Sequence, residues 1–240
     1  MCSLRPFERA SVPYNTDVSG KTEDSQFLAT VREQTSNFMK RAAAAQRLGR
    51  PRSFNTEDAL DAAMQVFWSK GYEGASLADL TAAMGINRPS LYAAFGDKEA
   101  LFRKVLDRYN SGPAAYVCDA LNQPTARRAI ERLLQGAADL ATGSGHRPGC
   151  LFVQGALACS ERAQAIRNDL TLRRKAGQKA VLQRMKRAQR EGDLRADANP
   201  SELARYVVTV LQGIAVQAAG GATRSELRGV IQTAMQAWPR

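Results

Sequence analysis

The octapeptide Asn87-Arg88-Pro89-Ser90-Leu91-Tyr92-Ala93-Ala94 combines an arginine, hydroxyls and small side chains at helical spacing. Leu91, Ala94 and the following Phe95 fall on one face. That leaves Arg88, Ser90, Tyr92 and Ala93 on the other. An arginine fork beside hydroxyls and a small apolar residue is chemistry that can reach base edges and phosphates in a DNA major groove. Asn87 and Pro89 suit the start of the same helix, as N-cap and first-turn residue. A second set of cations lies upstream. Residues 39–54 carry Lys40, Arg41, Arg47, Arg50 and Arg52 with no acid. The Gly49-Arg50-Pro51-Arg52 tetrapeptide reads as a basic arm for a phosphate backbone or a minor groove.

A side-chain set of this kind needs a scaffold. Ser76 and Asp79 have capping-box spacing. Leu77, Leu80, Thr81 and Met84 then recur at helical period, and Gly85 follows where a left-handed residue closes a helix. Ile86 can anchor the turn. Gly96 ends the second helix and Asp97 caps a third that opens with Lys98. Upstream, Asn55 or Thr56 caps a helix with Glu57 and Asp58 in its first turn. Its stripe is Leu60, Ala63, Met64 and Phe67, and Gly71 ends it. Leu101, Val105 and Leu106 give the helix after Asp97 its inner face. The expectation is a small three-helix domain with a helix–turn–helix and a linking helix, residues 55–110. Ser76, Asn87, Arg88, Pro89, Ser90, Tyr92, Ala93 and Lys98, with Arg50 and Arg52, are its candidate DNA contacts.

The string from Phe67 to Gly74 (F-x-x-x-G-Y-x-G), Ser76–Leu80, and Leu91-Tyr92-Ala93-Ala94-Phe95-Gly96-Asp97-Lys98-Glu99-Ala100-Leu101-Phe102 resembles the TetR/AcrR family of bacterial transcriptional regulators. The likeness is strong over residues 50–110 and weaker beyond, where it rests on helix order and the Glu191–Leu194 turn. It implies a recognition helix in the major groove, with Tyr92 and Lys98 on phosphates. It also implies a homodimer on a palindromic double-stranded operator, and a repressor released by a small-molecule effector. Pro89 replaces the small residue usual there, so base preference does not transfer.

Composition agrees with a polyanionic partner. The 240 residues carry a net charge of +11. The distribution is uneven: residues 55–110 hold six Lys/Arg against eight Asp/Glu. Beyond residue 110 the period stays helical: Ala126–Ala141, a Cys150–Cys159 stretch that is apolar nearly all round and reads as a central buried helix, a basic Glu161–Arg190, Ser201–Ala219 and Ser225–Trp238. The fold class is therefore all-α, with residues 111–240 a helical ligand-binding and dimerisation domain. Phe152, Gln154, Leu157 and Met185 are the apolar-side candidates for an effector pocket. Arg173 and Arg174 interrupt an apolar stripe, and a buried arginine there calls for an anion from the protein or from a ligand. The apolar faces of the last two helices offer a four-helix dimer seam.

Other functions find less support. There is one histidine, no phosphate-cradling glycine loop and no G-x-S-x-G, so no enzyme and no cofactor are indicated. Cys2, Cys118, Cys150 and Cys159 make no C-x-x-C, and His146 with Cys150 lacks helical register, so no metal is expected. A thiol- or metal-responsive regulator and a sequence-blind architectural DNA protein are the alternatives. No apolar run is long enough for a signal peptide or a membrane span, and the expected compartment is the cytoplasm.

Residues 1–38 have mixed charge and no hydrophobic period, and read as a disordered tail or a misassigned leader ahead of Met39. Removing them is expected to change duplex affinity by less than about 0.5 kcal/mol. Removing residues 1–54 also takes five cations and is expected to cost far more, with a shallower salt dependence. Affinity titrations at several salt concentrations check both; equal losses would reject the arm.

Overall fold

The structure is a computed structural model that describes residues 54–144, 148–157 and 163–239. Within them there are ten helices and no strand. Helix α1 (Thr56–Gly74) starts where the Asn55 side chain accepts the Glu57 amide at 2.9 Å. Gly71 does not end it: the chain kinks there, at φ 70° and ψ 174°, and runs helically to Gly74. Helix α2 (Leu77–Met84) begins with the full capping box between Ser76 and Asp79. It ends at Gly85 in the left-handed region, φ 64°, with the Ile86 amide donating to Thr81 O at 3.1 Å. Helix α3 (Arg88–Phe95) and α4 (Lys98–Ser111) follow, capped by Asn87 and Asp97.

The next six helices are α5 (Tyr116–Leu121), α6 (Ala126–Thr142), α7 (Leu151–Leu157), α8 (Gln164–Arg190), α9 (Pro200–Ala219) and α10 (Arg224–Gln236). Two apolar cores organise them. The first joins α1–α4 through Phe67, Leu80, Leu91, Phe95 and Phe102, all essentially inaccessible. It also takes Leu151 from α7 and Ile166 and Leu170 from α8. The second joins α5, α6, α9, α10 and the other half of α8 around Leu133, Leu134, Val181, Met185 and Ile231. Packing continues past residue 110: Phe54–Arg240 is a single compact unit, and α8 serves both cores.

Three expectations are corrected by this packing. The segment taken for a central buried helix is α7, beginning at Leu151. Leu151 and Gly155 are buried, while Phe152, Val153 and Gln154 are only half-buried. It is apolar on several sides because one side meets the core and another faces a cavity. The buried arginine of α8 is Arg184, 3% exposed, rather than Arg173 or Arg174. Its guanidinium donates to the carbonyls of Gln123 and Pro124 at 3.1 and 3.3 Å and lies 3.7 Å from Asp193, which itself accepts the Ala126 amide at the start of α6. Burial pulls its pKa below the usual arginine value. Finally, part of the α10 face offered for a dimer seam is covered by its own chain: Leu227, Ile231 and Met235 are buried in the second core, leaving Val230 outside. A seam between two copies cannot use that whole stripe.

Gly85 has no atom within 4 Å of where a Cβ would stand, so its only demand is a positive φ. Gly85→Ala is expected to cost about 1 kcal/mol, and Gly85→Asn less, since Asn tolerates that region. Denaturant titration of the variants measures both; equal stability of the two would contradict the backbone account.

Candidate nucleic-acid interface

Two crossed short helices present one open face. In α3, Leu91 and Phe95 are buried to 0% and 2%, while Arg88, Pro89 and Ala93 are exposed and Tyr92 is 49% exposed. Ser90 is half-buried. Eight residues are too few for a helix stable in isolation. This one is held from both ends and from beneath. Asn87 accepts the Ser90 amide at 2.9 Å, and the Gly96 amide donates to Tyr92 O at 3.0 Å. Asp97 accepts from the Ala100 amide at 2.7 Å, so α4 starts at once. Phe95 packs below against Phe54, ring centroids 6.2 Å apart. Arg88 makes no ion pair among the described residues.

Asn87 and Ser76 are spent first on caps. The Ser76 hydroxyl donates to Asp79 Oδ2 at 2.8 Å and accepts the Asp79 amide at 3.0 Å. Lys70 of α1 closes the same corner, its Nζ 2.6 Å from Asp79 Oδ1. The Lys70 ammonium, and then the Ser76 hydroxyl and amide, hold the Asp79 carboxyl at about 2. Lys98 is half-buried rather than free. Its Nζ sits 4.7 Å over the Tyr72 ring, a cation–π contact, and burial draws its pKa below the usual lysine value against the pull of Glu73. Thr81, expected in the apolar stripe, is half-buried with its hydroxyl donating to Leu77 O at 2.9 Å. Arg50 and Arg52 lie outside the described residues, as do His146, Cys2 and Cys159.

The linking helix α4 fixes this face to the rest. Arg108 is clamped to α1 by a two-toothed pair with Asp61 (2.9 and 2.8 Å) and by Glu57 at 2.6 Å. That hydrogen bonding holds the Asp61 carboxyl below its ordinary range. On its other side, Arg103 meets Asp169 at 2.6 Å and Asp107 meets Arg173 at 2.6 Å, both on α8. Tyr109, fully buried, stands edge-on to Trp68 of α1 and to Phe152 of α7, with centroids 5.0 and 4.9 Å away. Its hydroxyl donates to Cys150 Sγ at 3.4 Å. Burial foremost, then the adjacent sulfur, pushes that phenol well above its usual pKa.

Behind Tyr109 opens a cavity of about 450 Å³ between α4, α5, α6, α7, α8 and α9. Of the six pocket candidates, Phe152, Arg173 and Arg174 line it. Met185 does not; it is fully buried in the second core. Gln154 turns away and donates to Pro148 O at 2.9 Å. The side chain of Leu157 is outside the described residues. Tyr109, Tyr116 and Gln178 line the cavity without having been anticipated. One signal was available: Gly136 lies mid-helix in α6, where a Cβ would stand 2.3 Å from the Tyr116 ring, so the ring needs that gap. Among the described residues no group of three His, Cys, Asp or Glu could hold a metal, and no helix is long and apolar enough to cross a membrane.

Residues 59–105 match the family described as bacterial regulatory proteins, tetR family, and residues 124–234 match the tetracyclin repressor-like C-terminal domain. The HTH-type transcriptional repressor ComR of Escherichia coli (strain K12) is 32% identical over 196 residues, covering 80% of this chain and 92% of that protein. A cysteine variant of the TetR family transcriptional regulator CifR, solved complexed with 26 bp double-strand operator DNA, is 43% identical. It superposes with a TM-score of 0.77 over 79% of this chain and all of its own. A putative TetR transcriptional regulator from Rhodococcus sp. RHA1 is 42% identical, with a TM-score of 0.54.

The Asp79 value generates a test of the corner geometry. Its pKa is depressed, so its contribution to stability is present above the unfolded value of 3.8 and is lost as pH falls through about 2. Carboxyl-resonance titration is expected to show a midpoint near 2, moving up toward 3.8 in Lys70→Ala. A midpoint already at the free value would mean that the corner is open in solution.

Proposed function

This chain belongs to the tetR family of bacterial regulatory proteins, and on that footing we propose that it is a homodimeric repressor of the cytoplasm, binding a palindromic operator until a small molecule fills the cavity. The observation that carries the DNA reading is α3. A helix too short to stand alone is capped, undercut by core and oriented, while Arg88, Tyr92 and Ala93 lie exposed on its open face. Arg88 reads a base edge, Ser90 and Ala93 approach the groove floor, and Tyr92 and Lys98 hold phosphates. The arm at residues 39–54, with Arg50 and Arg52, adds charge that is indifferent to sequence.

A dimer places two α3 helices one helical turn apart, about 34–36 Å, on one DNA face. A shallow groove between α9 and α10, lined by Val210, Gly213, Gln217 and Val230, supports that assembly. Val230 is 46% exposed and Gly213 has open space above it, so a second copy can approach closely. The cavity suits effector release because Tyr109 and Asn110 of the linking helix form part of its wall. A sequence-blind architectural role would use the basic side of α8, yet Arg173, Arg184 and Arg187 there are engaged with Asp107, loop carbonyls and Glu191.

Selection of bound duplexes from a random library is expected to return one palindrome, bound about 10³-fold or more above random DNA. Equal binding to all duplexes would establish the architectural reading instead. Arg88→Ala is expected to lose roughly 1–3 kcal/mol on the selected duplex and little on random DNA. Lys98→Ala is expected to weaken both and lower the salt slope by about one. Val230→Asp, exposed and outside the core, is expected to shift the protein toward monomers in sedimentation without unfolding it. A dimer of unchanged strength would move the seam elsewhere.

A further inference from the structure

The cavity wall holds two arginines and, among the described residues, no carboxylate. They are not equivalent. Arg173 is spent on Asp107 at 2.6 Å. Arg174, the next residue, makes no ion pair among the described residues. It donates from Nη2 to the Thr171 hydroxyl at a long 3.3 Å, while its Nε–H is buried with no acceptor. A guanidinium N–H shut off from water with no acceptor is costly, and the cost is recovered when an anion arrives. The remaining wall is largely apolar, with Leu133, Leu140, Phe152, Val181 and Val208; its other polar side chains are the amides of Asn110, Gln178 and Gln212, the hydroxyls of Tyr109 and Tyr116 and the Cys150 thiol, none of them charged.

We propose that the cavity is a site for a compact carboxylic acid with an apolar aryl or alkyl body, its carboxylate held by Arg174. This rests on the reading of the cavity as the effector site and names the effector's chemistry. A planar guanidinium edge matches a carboxylate's two oxygens, which a neutral hydroxyl cannot do. A volume of about 450 Å³ lies within the range of small-ligand sites and accommodates a body of one ring or a short chain. Because Asp107 neutralises Arg173, the net positive charge of the wall sits on Arg174. Tyr109 contributes ring face and edge, its hydroxyl already donated to Cys150.

Calorimetric titration of the full chain at pH 7 with 3-phenylpropanoate and 3-phenylpropan-1-ol, and with octanoate and octan-1-ol, tests the inference. Each acid is expected to bind at least tenfold more tightly than its alcohol. Arg174→Gln is expected to erase that ratio while leaving the alcohol's affinity unchanged, whereas Arg173→Gln preserves it. The comparison of acid with alcohol on the unaltered protein needs no variant to fold. Equal affinities, a ratio that survives Arg174→Gln, or no binding tighter than about 1 mM from any probe would overturn the carboxylate site. Affinity for the selected duplex, measured in parallel, separates the two readings. An acid held through Arg174 that leaves DNA affinity unchanged keeps the anion site and removes its effector role. An alcohol that binds as well as its acid and releases DNA keeps the effector role and removes the anion.

Discussion

The linking helix α4 is committed on opposite sides at once, and the geometry of the DNA-facing surface follows from that. Leu101, Phe102, Val105 and Leu106 are fully buried in the core beneath α1–α3, and Phe102 meets Phe67 edge-on at 4.8 Å. One turn further on, Tyr109 forms cavity wall. Packed interiors respond to a change in volume by switching between arrangements rather than by bending smoothly. A molecule that pushes on Tyr109 therefore pushes on Trp68 of α1, 5.0 Å away across an edge contact. The DNA-facing surface and the cavity share a helix, not merely a linker.

The polar contacts around α4 set its register rather than its stability. The pairs of Arg103 with Asp169 and of Asp107 with Arg173 are partly solvent-exposed, and such pairs contribute about 0–1 kcal/mol each. They nevertheless join α4 to α8 at two points four residues apart on each helix. Arg173 and Arg174 both line the cavity but differ in their partners: about 100° separates neighbouring helical positions, so Arg173 also reaches Asp107 of α4 while Arg174 does not. Small differences in ligand affinity between two placements of α4 suffice to shift their populations.

What was readable from the chain was what is encoded locally. The caps at Ser76, Asn87 and Asp97, the left-handed Gly85 and the buried Leu91 and Phe95 all depend on residues within a few positions of one another. Part of the cavity wall escaped because the cavity is a gap left between six helices, lined also by Tyr109 and Gln212 from distant parts of the chain. Periodicity cannot tell a cavity-facing Phe152 from a core-filling Met185, since both are apolar and point inward. Arg184 escaped for a related reason. A cation in a basic helix looks solvated until the carbonyls of Gln123 and Pro124 are brought against it. The face offered for a dimer seam was overestimated because an apolar stripe does not say whether its own chain or another copy covers it.

Helix α8 has a consequence for how the molecule comes apart. Its 27 residues span about 40 Å, placing Ile166 and Leu170 in one core and Val181 and Met185 in the other. Melting α8 would strip buried side chains from both cores, which couples the stability of one to that of the other. The DNA-reading helices therefore rest on side chains from outside residues 55–110. Their folding free energy is partly borrowed from a segment more than sixty residues downstream, and whatever tightens the distant bundle also raises the melting temperature of the reading head.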